Sequence, residues 1–132
     1  MEALTDRASD AAKGRTRGQV EAEISRAVIR FERERMGRGP ADTRTRIVQD
    51  MVIVRMRDFL TPTERGLIQT GGGVDLLRQV RMKLLENERD VLSRMLQEAT
   101  GCEVTSMFSD LSVRTGERLI VFVMGRNLEP ST

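Results

Sequence analysis

The sequence predicts an α+β domain: two β-hairpins forming one antiparallel sheet packed by helices, in the order α-β-β-α-α-β-β. Three observations carry this. Apolar residues recur at helical spacing ahead of a Gly-Pro stop near residue 40, and again over residues 74–100. Two segments, near residues 44–60 and 102–124, alternate apolar and polar residues about a short turn. Hairpins joined by helices, rather than single strands alternating with helices, point to an antiparallel sheet.

Residues 1–17 are small, polar and mixed in charge, and are expected to form a disordered arm; the folded domain is expected over residues 18–129. From Gly18 onward, Val20, Ile24, Ala27, Val28 and Phe31 fall on one helical stripe, with Glu21, Glu23, Arg26, Arg30 and Arg33 elsewhere on the wheel. Gly37, Gly39 and Pro40 end this helix. Glycine accepts the left-handed cap, and proline lacks the N–H that a further turn requires.

The first hairpin follows. Thr45, Ile47 and Gln49 alternate with Arg44, Arg46 and Val48, and Asp50 is expected to make the turn through its own backbone. In the second strand Val52, Val54 and Met56 share the core face, and Ile53, Arg55 and Arg57 the other. LTPTE then starts a helix with Thr61 as cap, Pro62 in first position and Glu64 three residues past the cap, where its side chain can return to the cap N–H. TGGG separates that short helix from one expected over residues 74–100, about 40 Å long if continuous. Such a length exceeds what a small domain needs to cover its sheet, and its surplus apolar surface predicts self-association. Gly101 caps it, and the second hairpin turns at RTGE. The unbroken apolar run over 119–124 predicts a strand covered on both faces, by helices on one side and a second subunit on the other.

Composition narrows the chemistry. At 132 residues the chain is one domain's worth, 32% charged and 39% hydrophobic, with a net charge of only +2. Histidine, Trp and Tyr are absent and Cys102 is the single cysteine, which excludes histidine acid–base catalysis, the common zinc sites and an internal disulfide. No cofactor is expected, and no enzyme. The lone thiol fits a reducing cytoplasm. The opening residues lack the apolar core of a signal peptide, and no apolar run approaches membrane-spanning length. The expectation is a cytoplasmic protein that reaches a membrane only through a partner.

Three groups of residues merit weighing as sites. Arg38, Arg44, Arg46, Arg55 and Arg57 are candidates for binding a partner or an anion, set against the simpler reading of outward-facing hairpin arginines. Nucleic acid is not the favoured partner, because only four Phe are available for stacking and Phe31, Phe59 and Phe122 sit in core patterns. The turn at Gly71, Gly72 and Gly73 lacks the P-loop Lys-Ser/Thr pair and reads as a flexible break between helices. Asp50, Asp58, Asp110 and Glu117 follow no calcium-loop spacing, and Cys102 has no histidine to activate it.

GRGP followed by TRTRIVQDMVIVRM, then LTPTE and the closing TGERLIVFVMGRNLE, resembles the MpsC-like family over about residues 18–129. The family's initial E-x-E-I-S helix is matched by Glu21, Glu23, Ile24 and Ser25. The resemblance implies a small cytoplasmic protein associated with a sodium-translocating, membrane-potential-generating system, encoded near a transporter-like membrane subunit and a large soluble partner. It supplies no catalytic residues. The resulting expectation is a non-enzymatic, homo-oligomeric accessory domain, a dimer foremost, serving a membrane ion or inorganic-carbon transport system. The alternative is a nucleic-acid-binding protein using the arginine-bearing hairpin.

Overall fold

The computed structural model describes residues 14–129. The expected arm over 1–17 therefore lies mostly outside the described residues, but its last positions belong to the fold. Helix α1 spans Arg17–Met36, one residue earlier than Gly18. Thr16 caps it: its Oγ1 accepts from the Gln19 N–H at 3.1 Å, and Gln19 Oε1 accepts from the Thr16 N–H at 2.8 Å. Gly37 ends the helix in the left-handed conformation, φ 77°, donating its N–H to the Arg33 carbonyl.

Strands β1 (Asp42–Val48) and β2 (Met51–Arg57) form the first hairpin. Gln49, at φ 57°, takes the turn's left-handed position, and the Asp50 carbonyl accepts from the Met124 N–H. Helix α2 (Pro62–Leu67) carries the expected Thr61–Glu64 capping box. Helices α3 (Gly73–Asn87) and α4 (Arg89–Thr100) precede β3 (Val104–Ser112) and β4 (Glu117–Met124). The four strands form one antiparallel sheet in the order β1-β2-β4-β3, so the predicted α+β class and element order hold.

One expectation is corrected. The helix over 74–100 is not continuous; it breaks at Glu88, whose φ of −103° and ψ of 9° leave the helical well. No Gly or Pro marks the spot in Asn87-Glu88-Arg89. The break lets Leu77 and Leu85 before it, and Leu92 and Leu96 after it, all bury.

Among the described residues the helices cover one face of the sheet. There Val20, Ile24 and Val28 of α1 and Leu92 and Leu96 of α4 pack on strand residues such as Val54 and Phe122. A second, smaller cluster joins Phe59, Leu60, Leu77 and Leu111. The E-x-E-I-S residues stitch α1 to the sheet edge. Glu21 Oε2 accepts from the Ile47 N–H at 2.8 Å, the Ser25 and Thr45 hydroxyls meet at 2.7 Å, and Ile24 enters the core. A carboxylate thus occupies a β1 N–H on the edge strand, where it would otherwise be free to template another chain.

Candidate functional site: the open face of the sheet

The opposite face of the sheet has no helix over it among the described residues. Strand periodicity puts every second side chain there, and the pairing register arranges them in four rows running from β1 through β2 and β4 to β3. The rows read Asp42–Arg57–Glu117–Ser112, Arg44–Arg55–Leu119–Asp110, Arg46–Ile53–Val121–Phe108 and Val48–Met51–Val123–Ser106. Two rows are charged and two are chiefly apolar. Phe108 is 61% exposed and Leu119 43%, and Val121, Val123, Met51 and Ile53 are only half-buried. Large apolar side chains side by side on a solvent face are the mark of an interaction surface. The apolar run over 119–124 is therefore covered by the described helices on one side only.

Four of the five candidate arginines share this face, and their electrostatics differ. Arg55 donates to Glu117 Oε1 from Nε at 2.7 Å and again from Nη2, while Arg57 Nε lies 3.5 Å from the same oxygen. Hydrogen bonds from Arg55, together with its charge and that of Arg57, hold the Glu117 carboxyl below the usual glutamate range against the pull of desolvation. Arg44 Nε reaches Asp42 Oδ2 at 3.2 Å. Arg46 donates to the carbonyl of its neighbour Thr45 at 2.9 Å and has no carboxylate within ion-pair distance among the described residues. Carboxylates answer most of the positive charge here, so the face is not the basic field that phosphate binding favours.

Arg38 stands apart from the other four. It lies between α1 and β1, where its Nη1 donates to the Leu60 carbonyl and its Nη2 to Asp58 Oδ2 at 2.8 Å. Asp58, held at φ 51°, also accepts from Arg65. This is a clamp on the β2–α2 connection. Among the described residues no three carboxylate or cysteine side chains converge to hold a metal, and Cys102 is buried. At the glycine turn, a Cβ on Gly73 would stand 1.8 Å from the Leu67 carbonyl oxygen, so backbone closes on backbone there and the turn is close-packed at that position. A second unpartnered apolar surface runs along the outside of α3, where Leu76, Val80 and Leu84 recur every four residues and stay exposed.

Sequence reasoning missed a buried ionic network on the helix-covered face. Arg81 of α3 donates to both oxygens of Glu64 and, at 3.2 Å, to Glu32 Oε2, and its Nη2 reaches the Phe59 carbonyl at 3.3 Å. Arg118 of β4 donates to Glu32 Oε1 at 2.5 Å. All four charged residues are buried, and their formal charges cancel. Burial pulls the Arg118 guanidinium below its ordinary pKa, and the Glu32 carboxylate offsets only part of that. The signal lay in position rather than composition. Glu32 continues the stripe Val20, Ile24, Val28; Arg81 sits between Leu77 and Leu85; Arg118 alternates with Ile120 and Phe122. Charges at core positions of an amphipathic pattern must find one another.

Comparisons with known proteins agree with the resemblance. The chain is 36% identical over 115 residues to the uncharacterized protein YbcI of Bacillus subtilis (strain 168), covering 87% of this chain and 93% of that protein. It is 22% identical over 111 residues to the uncharacterized protein YrhF of the same organism, covering 81% and 88%. No solved structure matches it. The family model described as "Na+-translocating membrane potential-generating system (MpsC)" matches residues 16–126, from the Thr16 cap to just past the end of β4, and the chain belongs to the MpsC family.

Proposed function

We propose that this chain is a non-enzymatic cytoplasmic accessory domain that works as a homodimer and serves a membrane ion or inorganic-carbon transport system, a Na+-translocating one first. The single observation that carries the reading is the half-apolar open face of the sheet, left without cover by the described helices. The family description supplies the sodium system. No helix among the described residues is long and apolar enough to cross a membrane, so the domain acts in such a system through a membrane-embedded partner. The outer stripe of α3 gives that partner a surface separate from the sheet. Light scattering on the size-exclusion peak at tens of micromolar tests the dimer, and a strict monomer removes it. Co-purification with a neighbouring transporter subunit from detergent-solubilised membranes tests the accessory role, and consistent failure removes that.

One observation favours a second reading, nucleic-acid binding. Phe108 lies exposed on a four-stranded sheet whose same face also carries four arginines, an arrangement on which a base could stack. A low-salt anisotropy titration with single-stranded RNA and DNA decides it: binding that weakens steeply with added salt supports this reading, and no signal at 50 µM protein eliminates it.

A further inference from the structure

Resting on the dimer reading above, we infer that two copies meet open face to open face about a two-fold axis parallel to the strands, placing β1 over the partner's β3 and β2 over the partner's β4. The observation is the distribution of charge over the four rows. Sheets pack face to face about 10 Å apart with strands nearly aligned, which leaves two ways for a two-fold axis to lie in the interface: along the strands or across them.

An axis along the strands keeps each row opposite itself and reverses its order. Arg44 then faces the partner's Asp110, and Arg57 faces the partner's Glu117. Arg46, the cation of this face with no carboxylate in ion-pair distance among the described residues, faces the partner's Phe108, whose exposed ring can take a guanidinium over its face. In the centre Ile53 meets the partner's Val121, and Met51 meets the partner's Val123. Every charged side chain of the second row lands on an opposite charge or on an apolar neighbour, and no like charges oppose one another.

An axis across the strands reverses the rows instead. Arg44 would face the partner's Arg46, Arg57 the partner's Met51 and Glu117 the partner's Val123. Arg44 and Arg46 would oppose as like charges, and the Arg57–Glu117 pair would be buried against Met51 and Val123 with no charge of the partner to meet it. Only the first arrangement satisfies both the apolar and the charged rows.

The size is adequate. Four strands about 4.8 Å apart and rows about 6.7 Å apart outline roughly 500 Å² per copy, so two faces bury about 1,000 Å², the lower bound for a specific interface. The pairing residues are accessible. Asp110 is 82% exposed at its side chain, where Oδ1 accepts from the Leu111 N–H at 2.8 Å and lies 3.6 Å from Arg78, and Arg44 is 65% exposed.

Charge exchange across this one pair tests the geometry, read as a dissociation constant by sedimentation equilibrium on the full chain. Arg44→Asp sets two aspartates against each other and Asp110→Arg sets two arginines; each weakens the dimer about tenfold or more, since the pair occurs twice by symmetry. Arg44→Asp combined with Asp110→Arg restores wild-type affinity to within about threefold. A dimer that ignores both single changes overturns this arrangement while leaving the dimer itself intact. A dimer that tightens with Arg44→Asp has the axis across the strands, because the new carboxylate then meets the partner's Arg46. A wild-type chain that stays monomeric overturns the dimer reading and the geometry with it. All the changed positions face solvent in the protomer, and circular dichroism on each variant verifies that the fold is kept.

Discussion

Arg81 holds Glu64 with both arms of its guanidinium, Nε to Oε2 and Nη2 to Oε1, each at 2.7 Å and with both residues buried. The planar fork of arginine matches a carboxylate, and lysine has no equivalent geometry. The pair joins α2 to α3, and the third partner, Glu32, carries the connection to α1 and, through Arg118, to β4. Arg81 lies one helical turn from Leu77 of one apolar cluster and one from Leu85 of the other, so the network sits where the two cores meet.

Arg81→Met therefore strands the Glu64 carboxylate in the interior and leaves Glu32 with Arg118 alone, and is expected to destabilise the fold by about 3–5 kcal/mol in urea denaturation. Arg81→Lys keeps the charge but loses the fork, and recovers only part of that loss.

Acid should weaken the same pair. Burial pushes the Glu64 carboxyl up, but hydrogen bonds from Arg81 and Thr61 and the Arg81 charge outweigh it, so its folded pKa lies below the ordinary 4.5. A depressed carboxyl contributes stability in full above the unfolded pKa and loses it as pH falls through the folded one. Glu64→Gln should accordingly be less stable than wild type at pH 7, with the gap narrowing steadily below about pH 4.5. Denaturation curves at pH 7, 4.5 and 3.5 measure it; a gap that stays constant means Glu64 gains nothing from its charge.

Val121→Glu puts a carboxylate at the centre of the open face. In the single protomer the position is only half-buried, so the fold should survive, while the dimer dissociation constant should rise roughly a hundredfold or more. Val80→Glu on the outer stripe of α3 should leave self-association unchanged. Light scattering on both variants separates the two surfaces; equal effects would show that they belong to one interface.

Gly73→Ala should destabilise by about 1–3 kcal/mol or more, since its Cβ would collide with the Leu67 carbonyl and the backbone must move. Gly71→Ala meets open space and should be neutral or stabilising by up to about 1 kcal/mol. Thermal melts of the two variants decide whether the glycine turn is a close-packed joint or a loose one.

Much of the fold was legible because the deciding physics is local. The Thr61–Glu64 box, the Gly37 cap and the alternation of Val52, Val54 and Met56 each follow from neighbours within a few residues. The break at Glu88 was not legible, since no helix breaker stands there; it lets Leu77 and Leu85 before it and Leu92 and Leu96 after it bury against elements distant in sequence. The candidate arginines were partly legible. Alternation set Arg44, Arg46, Arg55 and Arg57 facing outward, but only the β1–β2 register shows that they share a face, and only the path after Gly37 sends Arg38 to Asp58 instead.

By itself, the sequence determined which side chains avoid water and which chain reversals are sterically allowed, because hydrophobic periodicity and capping act over a turn or two. The tertiary structure alone decided which surfaces remain uncovered and which buried charges neutralise one another. Glu32, Arg81 and Arg118 meet across separations of 37 to 86 residues, and Phe108 stays exposed because every described helix lies on the opposite side of the sheet. Such outcomes depend on how whole elements stack, and no short window of residues contains that information.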